Sequence, residues 1–294
     1  MIAVRPATHE LDAYVAAWNA LAPDEPTSTE QQRARLERDP RRLHVLAEVD
    51  GSVAGCGFAG PSDSPERAFI MPRVRVGTRG RGIGTLVLRR LLSHATLLGF
   101  ETVSSHVDGS DARSLVFARR HGFGEVDRQV EQVKIVADEP FAGAPVGLDV
   151  VTIEERPDLL REAYDLALEG YADMATVTPV TISLEDWLAD EASLPGGSFV
   201  ALSGSEIVGY TGLCRRSDGT VEDGLTVVRR PWRRRGVAAA LKRAKLAWAA
   251  QHGIAEIVTW TQNGNDAMRA LNVRLGYVDR SVCVVVHRQL TAQG

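Results

Sequence analysis

Two neighbouring segments in the second half of this 294-residue chain have residue types and spacing suited to anion binding and proton transfer. RRPWRRRGVAAALKRAK, residues 229–245, holds eight basic residues and no acid, in a chain of formal net charge −4. Just upstream, Gly224–Val228 reads as a strand, with Glu222 and Asp223 leading into it from a hairpin end. A strand, an Arg/Gly turn and a helix bring unpaired backbone N–H groups and the positive end of a helix dipole to one point. Gly236 and Ala238 keep bulk away from that point, and the arginines supply forked donors that match phosphate oxygens. Residues 233–238 therefore read as a diphosphate cradle. The Gly-Lys-Ser/Thr of a Walker loop is absent, and GRGIGT in the first half has Thr85 where a dinucleotide fingerprint needs its third glycine. A solvated helix face is the plainer reading of the basic run. A nucleic-acid stripe would need broader positive charge or interleaved aromatics.

The chain repeats itself. A shift of 154 positions places RGRGIG (79–84) on RRRGVA (233–238), Gly55 on Gly209, Gly99 on Gly253, Gly122 on Gly276 and Phe123 on Tyr277, without a gap over about seventy residues. Two domains of one design follow, residues 1–135 and 150–294, with Pro- and Gly-marked 136–149 as linker. Each half shows a short strand (Ile2–Val4; Val150–Ile153), then helical periodicity (Leu11–Leu21; Leu159–Leu168). A hairpin and a further strand follow (Phe69–Val76; Gly224–Val228), then the turn and an amphipathic helix (Ile83–Leu98; Val237–Gln251). A strand, a short helix ending in Gly-aromatic and a last strand close each half (Val130–Val136; Val282–His287). Hairpins mixed with helix crossovers predict an α/β fold, a mixed and mainly antiparallel sheet flanked by helices in each domain.

Arg79-Gly-Arg-Gly82-Ile-Gly84 and Arg233-Arg-Arg-Gly236-Val-Ala238, each after a strand, and the later TWTQNGNDAMRALNVRLGY (259–277) resemble the GCN5-related N-acetyltransferase (GNAT) superfamily. The duplicated arrangement resembles that of two-domain actinobacterial acetyltransferases of the mycothiol-synthase type. The resemblance implies acetyl-CoA as cosubstrate, its pyrophosphate on Arg233, Arg234, Arg235, Gly236, Val237 and Ala238, with Asn265 nearby. It implies a similar turn at Arg79, Gly82 and Gly84 in the first half. It further implies that backbone groups seven and five residues before the motif arginine, Thr226 and Val228, hold the pantetheine and polarise the thioester. The glutamate eleven residues before it, Glu222, is the expected general base, with Asp223 or a water relay as substitutes. The family's usual tyrosine acid is replaced by Asn272, able to donate a hydrogen bond to a departing thiolate.

In the first half the corresponding positions hold Pro72, Val74, Ala68, Ala118 and, for Asn265, Asp111. Pro72 has no N–H and Ala68 cannot take a proton, so catalysis is assigned to the second half and the first is read as a degenerate copy. The expected reaction is direct transfer to a primary amine in a ternary complex. The alternative is an acyl-CoA-responsive binding protein without turnover. Residues 150–199 hold eleven acids and two bases, which would draw a small cationic acceptor, and GYADMATVTPVT (170–181) offers Tyr171 and Asp173 as an acceptor loop.

Composition bounds the rest. A hydrophobic share of 44% and a charged share of 24% are ordinary for a globular protein, and no apolar run reaches the length of a membrane helix. The first residues lack the layout of a secretory signal. Cys56, Cys214 and Cys283 are far apart, and the seven histidines lack ligand spacing. These features predict a cytoplasmic protein with neither disulfide framework nor metal, no membrane or nucleic-acid partner, acting as a monomer or homodimer.

Overall fold

Strand β1 (Ile2–Pro6) leads into α1 (Leu11–Leu21), α2 (Thr29–Arg38), β2 (Leu43–Val49), β3 (Ser52–Pro61) and β4 (Arg67–Val74). Then come α3 (Ile83–Leu97), β5 (Thr102–Asp108), α4 (Ala112–Arg120) and β6 (Gly124–Ile135). The second half runs β7 (Asp149–Thr152), α5 (Leu160–Ala172), α6 (Leu184–Asp190), β8 (Phe199–Ser203), β9 (Glu206–Arg215) and β10 (Val221–Val228). It closes with α7 (Val237–Gln251), β11 (Glu256–Gln262), α8 (Asp266–Arg274) and β12 (Val278–Gln289). This computed structural model describes residues 2–23, 25–62, 64–137, 143–174, 182–190, 193–216 and 219–290. No helix among the described residues is long and apolar enough to cross a membrane.

The contacts divide the chain into one unit of residues 1–126 with 284–294 and a second of residues 127–283. In the first, β1, β2, β3 and β4 pair antiparallel and β4 continues parallel to β5. In the second, β7, β8, β9 and β10 pair antiparallel, β10 lies parallel to β11, and β11 pairs antiparallel with β6. The mixed sheet with flanking helices is the expected fold class. The repeat boundary at 136–149 is not where the units divide, because most of β6 belongs to the second unit and the end of β12 to the first. Each unit is thus closed by a strand from the other half of the sequence.

The repeated glycines have a packing reason. Gly209 on β9 lies under α7, where a Cβ would stand 2.9 Å from both Val237 and Leu241; Gly55 on β3 likewise faces Arg73 O at 2.8 Å and Ile83 at 3.4 Å. A side chain at either position would lift the helix that carries the phosphate turn. On the opposite face of the second sheet, Tyr164 and Trp187 of α5 and α6 pack with Tyr210, Leu225 and Val227. Part of the predicted linker also joins this unit: Leu148 is buried with Val237 and Leu241, beside Trp232.

Candidate functional site

Both phosphate turns have the same backbone. A 3-10 turn (76–78; 230–232) is followed by an extended Arg79 or Arg233, then by Gly80 or Arg234 at φ +82° and +64°. Gly82 and Gly236 follow at φ +84° in both units, and each starts its helix with no side-chain cap. The first N–H groups of α3 and α7 are therefore left for another acceptor, at the positive end of a four-turn helix. A Cβ at Gly82 would meet nothing within 4 Å, and one at Gly236 would meet only Pro145 Cγ at 4.0 Å. The space and donors fit a diphosphate. Gly84 has another reason to be small, since a Cβ there would stand 3.4 Å from the Phe117 ring.

The arginines divide by partner. Arg233 Nε donates to Val228 O (2.9 Å), as Arg79 Nε does to Val74 O (3.4 Å). Arg79 also pairs with Asp111 (2.8 Å), which caps α4 by accepting from Ser114 N (3.0 Å). This acid is therefore paired and employed in a cap; burial raises its pKa, but Ser114 and Arg79 outweigh that and hold it below its ordinary value. Asn265 caps α8 in the same way, accepting from Met268 N. Arg230 and Arg233 both pair with Asp173 at the end of α5, which brings its carboxyl down to about 2. Arg229 donates to Ile207 O and faces Glu162, Glu169 and Glu206 at 3.5 Å. Arg235 lies 5.1 Å from the Trp232 ring, and residues 233–236 are exposed.

These pairs also bear on the acidic segment. Asp158, Glu162, Asp165, Glu169 and Asp173 each face an arginine, with Arg229 shared among Glu162, Glu169 and Glu206, so the arginines offset part of the segment's negative charge. Tyr171 is buried, and most of the proposed acceptor loop, 175–181, lies outside the described residues. Replacing Asp173 by Asn should free the forks of Arg230 and Arg233 for phosphate. Coenzyme affinity of the second unit, measured by calorimetry, is expected to rise several-fold; a fall would mean that Asp173 serves to hold the arginines in place.

The transfer strand departs from simple alternation. Asp223 pairs with Leu213 and Thr226 with Thr211, so a bulge inserts one residue of β10 between them. Glu222, opposite Cys214, therefore points to one face, while Asp223, Thr226 and Val228 point to the α7 face. Unbroken period-two alternation would put 222, 224, 226 and 228 on one face; the bulge separates Glu222 from Thr226 and Val228. In the first unit β4 pairs with β3 without a bulge, Ile70 opposite Ala59 and Phe69 opposite Gly60. The parallel bridges agree: Glu222–Val258 in the second unit matches Phe69–Ser104 in the first. Phe69, one residue on from the expected Ala68, stands where Glu222 stands. The Glu222 carboxylate is engaged by Arg216 in a close ion pair and its side chain is 18% exposed.

Asn272 is fully buried, and its amide donates to Gln132 Oε1 (2.9 Å) and more weakly to Thr261 Oγ1 (3.4 Å), while its Oδ1 has no hydrogen-bond partner. Its N–H donors are thus already used, which differs from the expected donor to a thiolate.

The two units differ most in what lines the inner end of the site. The first unit contains a cleft of about 750 Å³ beside the turn, with Arg79, Gly82, Arg113 and Arg120 among its polar residues. Its apolar wall includes Ile70, Pro72, Leu88, Ala118, Phe123 and Val286. At the matching places the second unit has Asp223, Thr226, Lys242, Asn272, Tyr277 and Gln132. Asn272 and Gln132 join Thr261 in one hydrogen-bonded group, and Asp223, Lys242 and Tyr277 join Lys245, Thr211 and Thr226 in another. Asp223 accepts from Lys242 and Lys245 of α7 in two close contacts and from Tyr277 Oη at 3.1 Å; the three charged side chains are at most 2% exposed. Burial alone would raise the Asp223 pKa, but the two ammonium groups outweigh it and hold the carboxyl below its ordinary value. Asp223 is therefore spent as an internal counter-ion and is no substitute base. Nothing in the basic run had set Lys242 and Lys245 apart from solvated residues.

An uncapped, glycine-opened helix start after a strand, present twice, gives each unit a place suited to an anionic, phosphate-bearing ligand. The family model described as acetyltransferase (GNAT) family matches residues 8–123 and again 160–277. The chain belongs to this family and carries its domain in tandem. A solved GCN5-related N-acetyltransferase from Sphaerobacter thermophilus is 21% identical, with 98% of this chain and 95% of that chain covered, at a TM-score of 0.76. A tandem GNAT protein from the clavulanic acid biosynthesis pathway is 20% identical, with 98% of each chain covered, at a TM-score of 0.69. At such identities the likeness is one of fold. No curated protein matches the chain.

Proposed function

We propose that the protein transfers an acetyl group from acetyl-CoA to a primary amine, with the reaction on β10 of the second unit. The observation that carries this reading is the bulge between Asp223 and Thr226, in the strand that leads straight to the uncapped α7 turn. A bulge takes backbone groups out of the ladder, and among the described residues β10 pairs with β11 at Glu222–Val258 alone. N–H groups beyond that bridge are placed to bind pantetheine and to polarise a thioester carbonyl, an interaction that strengthens as the oxygen gains charge. Glu222 lies on the face opposite α7 and takes the ammonium proton once Arg216 releases it. The freed amine attacks the carbonyl carbon, and the carbon–sulfur bond breaks with its electron pair leaving on sulfur. The acceptor is a small cationic amine, bound as its ammonium form. The first unit keeps the turn and a cleft that suits a coenzyme, but has Phe69 and Pro72 at the reacting positions. Within the family we place the chain with the mycothiol-synthase type, on the tandem design alone, and in the cytoplasm as a monomer or homodimer.

A second reading, an acyl-CoA-binding sensor without turnover, is favoured by the guanidinium on Glu222 and by the committed amide of Asn272. Thiol release from acetyl-CoA with a panel of amines separates the two. For the enzyme, Glu222→Gln should lower kcat by about 10²–10³-fold and leave coenzyme affinity unchanged. Coenzyme binding without thiol release across the panel would establish the sensor.

A further inference from the structure

In the second unit, Lys245 Nζ lies 2.7 Å from Thr211 Oγ1, and Thr211 Oγ1 lies 2.7 Å from Thr226 Oγ1. Thr226 is half-buried on the transfer strand, at the position where Pro72 of the first unit lines the cleft. We propose that Lys245 is the proton reservoir for the departing thiolate, reached from the site through the hydroxyls of Thr226 and Thr211. This inference rests on the reading of β10 as the transfer strand.

The reaction needs such a donor, because Asn272 stands where a tyrosine acid is usual and its N–H groups are engaged by Gln132 and Thr261. The Lys245 environment suits both protonation states. Nζ has three partners: Asp223 Oδ1 in a close contact, Gly212 O at 3.1 Å and Thr211 Oγ1 at 2.7 Å. As an ammonium it donates to all three. As an amine it donates to Asp223 and Gly212 O, and its lone pair accepts from the Thr211 hydroxyl. Neither state leaves a buried group unsatisfied, so the proton can move at little cost. The change also reverses the hydroxyl chain, since either threonine oxygen can be the donor between the two.

The step balances as follows. When the carbon–sulfur bond breaks, sulfur takes the electron pair and then the Thr226 hydroxyl proton. Thr226 takes a proton from Thr211, Thr211 takes one from Lys245, and Lys245 is left neutral. It regains a proton from water along the same path reversed, while the proton shed by the amine leaves through Glu222. Burial, against the pull of Asp223, brings the Lys245 ammonium down to about 8, close to the ordinary value of a thiol, about 8.5. The charged and titratable groups around it are Asp223 on β10, Lys242 on α7 and Cys214 on β9, with Tyr277 hydrogen-bonded to Asp223. Lys242 occupies the other oxygen of Asp223, so removing Lys245 leaves a matched pair. The first unit has Leu91, Gly57 and Pro72 at these places and has no such path.

The test compares wild type with Lys245→Met, Thr211→Val, Thr226→Val and Thr226→Ser. The wild-type kcat for acetyl-CoA should fall as pH rises through about 8, the reservoir emptying. In Lys245→Met, Thr211→Val and Thr226→Val that limb should vanish and kcat below it should drop by about 10²-fold, with KM for acetyl-CoA unchanged and Thr226→Ser close to wild type. An unaltered pH profile in Thr211→Val and Lys245→Met overturns the proposal. Should the wild type release no thiol with any amine, the proposed function fails, and thiolate absorbance of bound CoA then decides the contact. A thiol midpoint raised in Thr226→Val and retained in Thr226→Ser supports the path; an unmoved midpoint, or no CoA in the second unit, removes it.

Discussion

Asp223→Ala should destabilise the second unit by about 3–5 kcal/mol, on the order of 10 °C in Tm, the largest effect expected of any single substitution in its interior. The carboxylate lies between Lys242 and Lys245, and its loss leaves two ammonium groups in a site with no solvent access. The cause is the missing counter-ion and not the lost volume. Replacing the whole cluster with Asp223→Ile, Lys242→Leu and Lys245→Leu, as in Ile70, Leu88 and Leu91 of the first unit, should therefore recover the stability while abolishing acetyl transfer. Thermal unfolding across pH checks the assignment by sign. Asp223 has a folded pKa below its unfolded one, so its contribution is present above the unfolded value and is lost as pH falls through the folded one. Lys245 is the opposite case. Its folded value, about 8, lies below its ordinary 10.5, so the unfolded chain binds more protons between these limits and stability should rise with pH there. Lys245→Met should remove that rise. A Tm for Asp223→Ala within 2 °C of wild type would mean that the cluster is not ionised.

The repeat in the sequence revealed the fold because each match has a packing cause. Gly55 and Gly209 lie under helices, Gly82 and Gly236 start them at positive φ, and the helix predicted over Val237–Gln251 is α7. The same regularity concealed the bulge. The paired residues Arg215 and Val221 stand one residue closer in sequence than their counterparts Pro61 and Ala68, and the bulge restores the residue, so the 154-residue shift holds on both sides. Strict alternation then puts Glu222 and Thr226 on one face, which the pairing contradicts. Lys242 and Lys245 were legible in principle. The shift lays them on Leu88 and Leu91, two residues three apart on the buried face of α3, and lysines in such places need a buried acid. The arginines around them made the run look uniformly solvated. The pairing of Asp173 with Arg230 and Arg233 joins residues about sixty positions apart, and no local pattern announces it. The exchange of closing strands is equally silent, because β6 and β12 hold corresponding places in the two repeats, Gln132 of one matching Val286 of the other under the same shift.

Gly236→Glu should weaken coenzyme binding at the second unit by at least about 100-fold and abolish thiol release. Two effects act together. At φ +84° a side chain costs about 1–2 kcal/mol of backbone strain, and the new carboxylate would stand at the helix start that is to receive a diphosphate. Gly236→Ala isolates the first effect and should weaken binding by about tenfold, while Gly236→Gln against Gly236→Glu isolates the charge. Gly82 has the same φ and an open Cβ position, so Gly82→Glu should act in the same way on the first unit. Calorimetric stoichiometry then distinguishes the turns: two coenzymes per chain in wild type, one in either variant, none when both are combined. Arg233 is a weaker probe, since its Nε holds Val228 O and its removal would disturb the transfer strand as well as the charge. The glycine carries no such second role, and an isotherm that Gly236→Glu leaves unaltered would show that phosphate does not sit at α7.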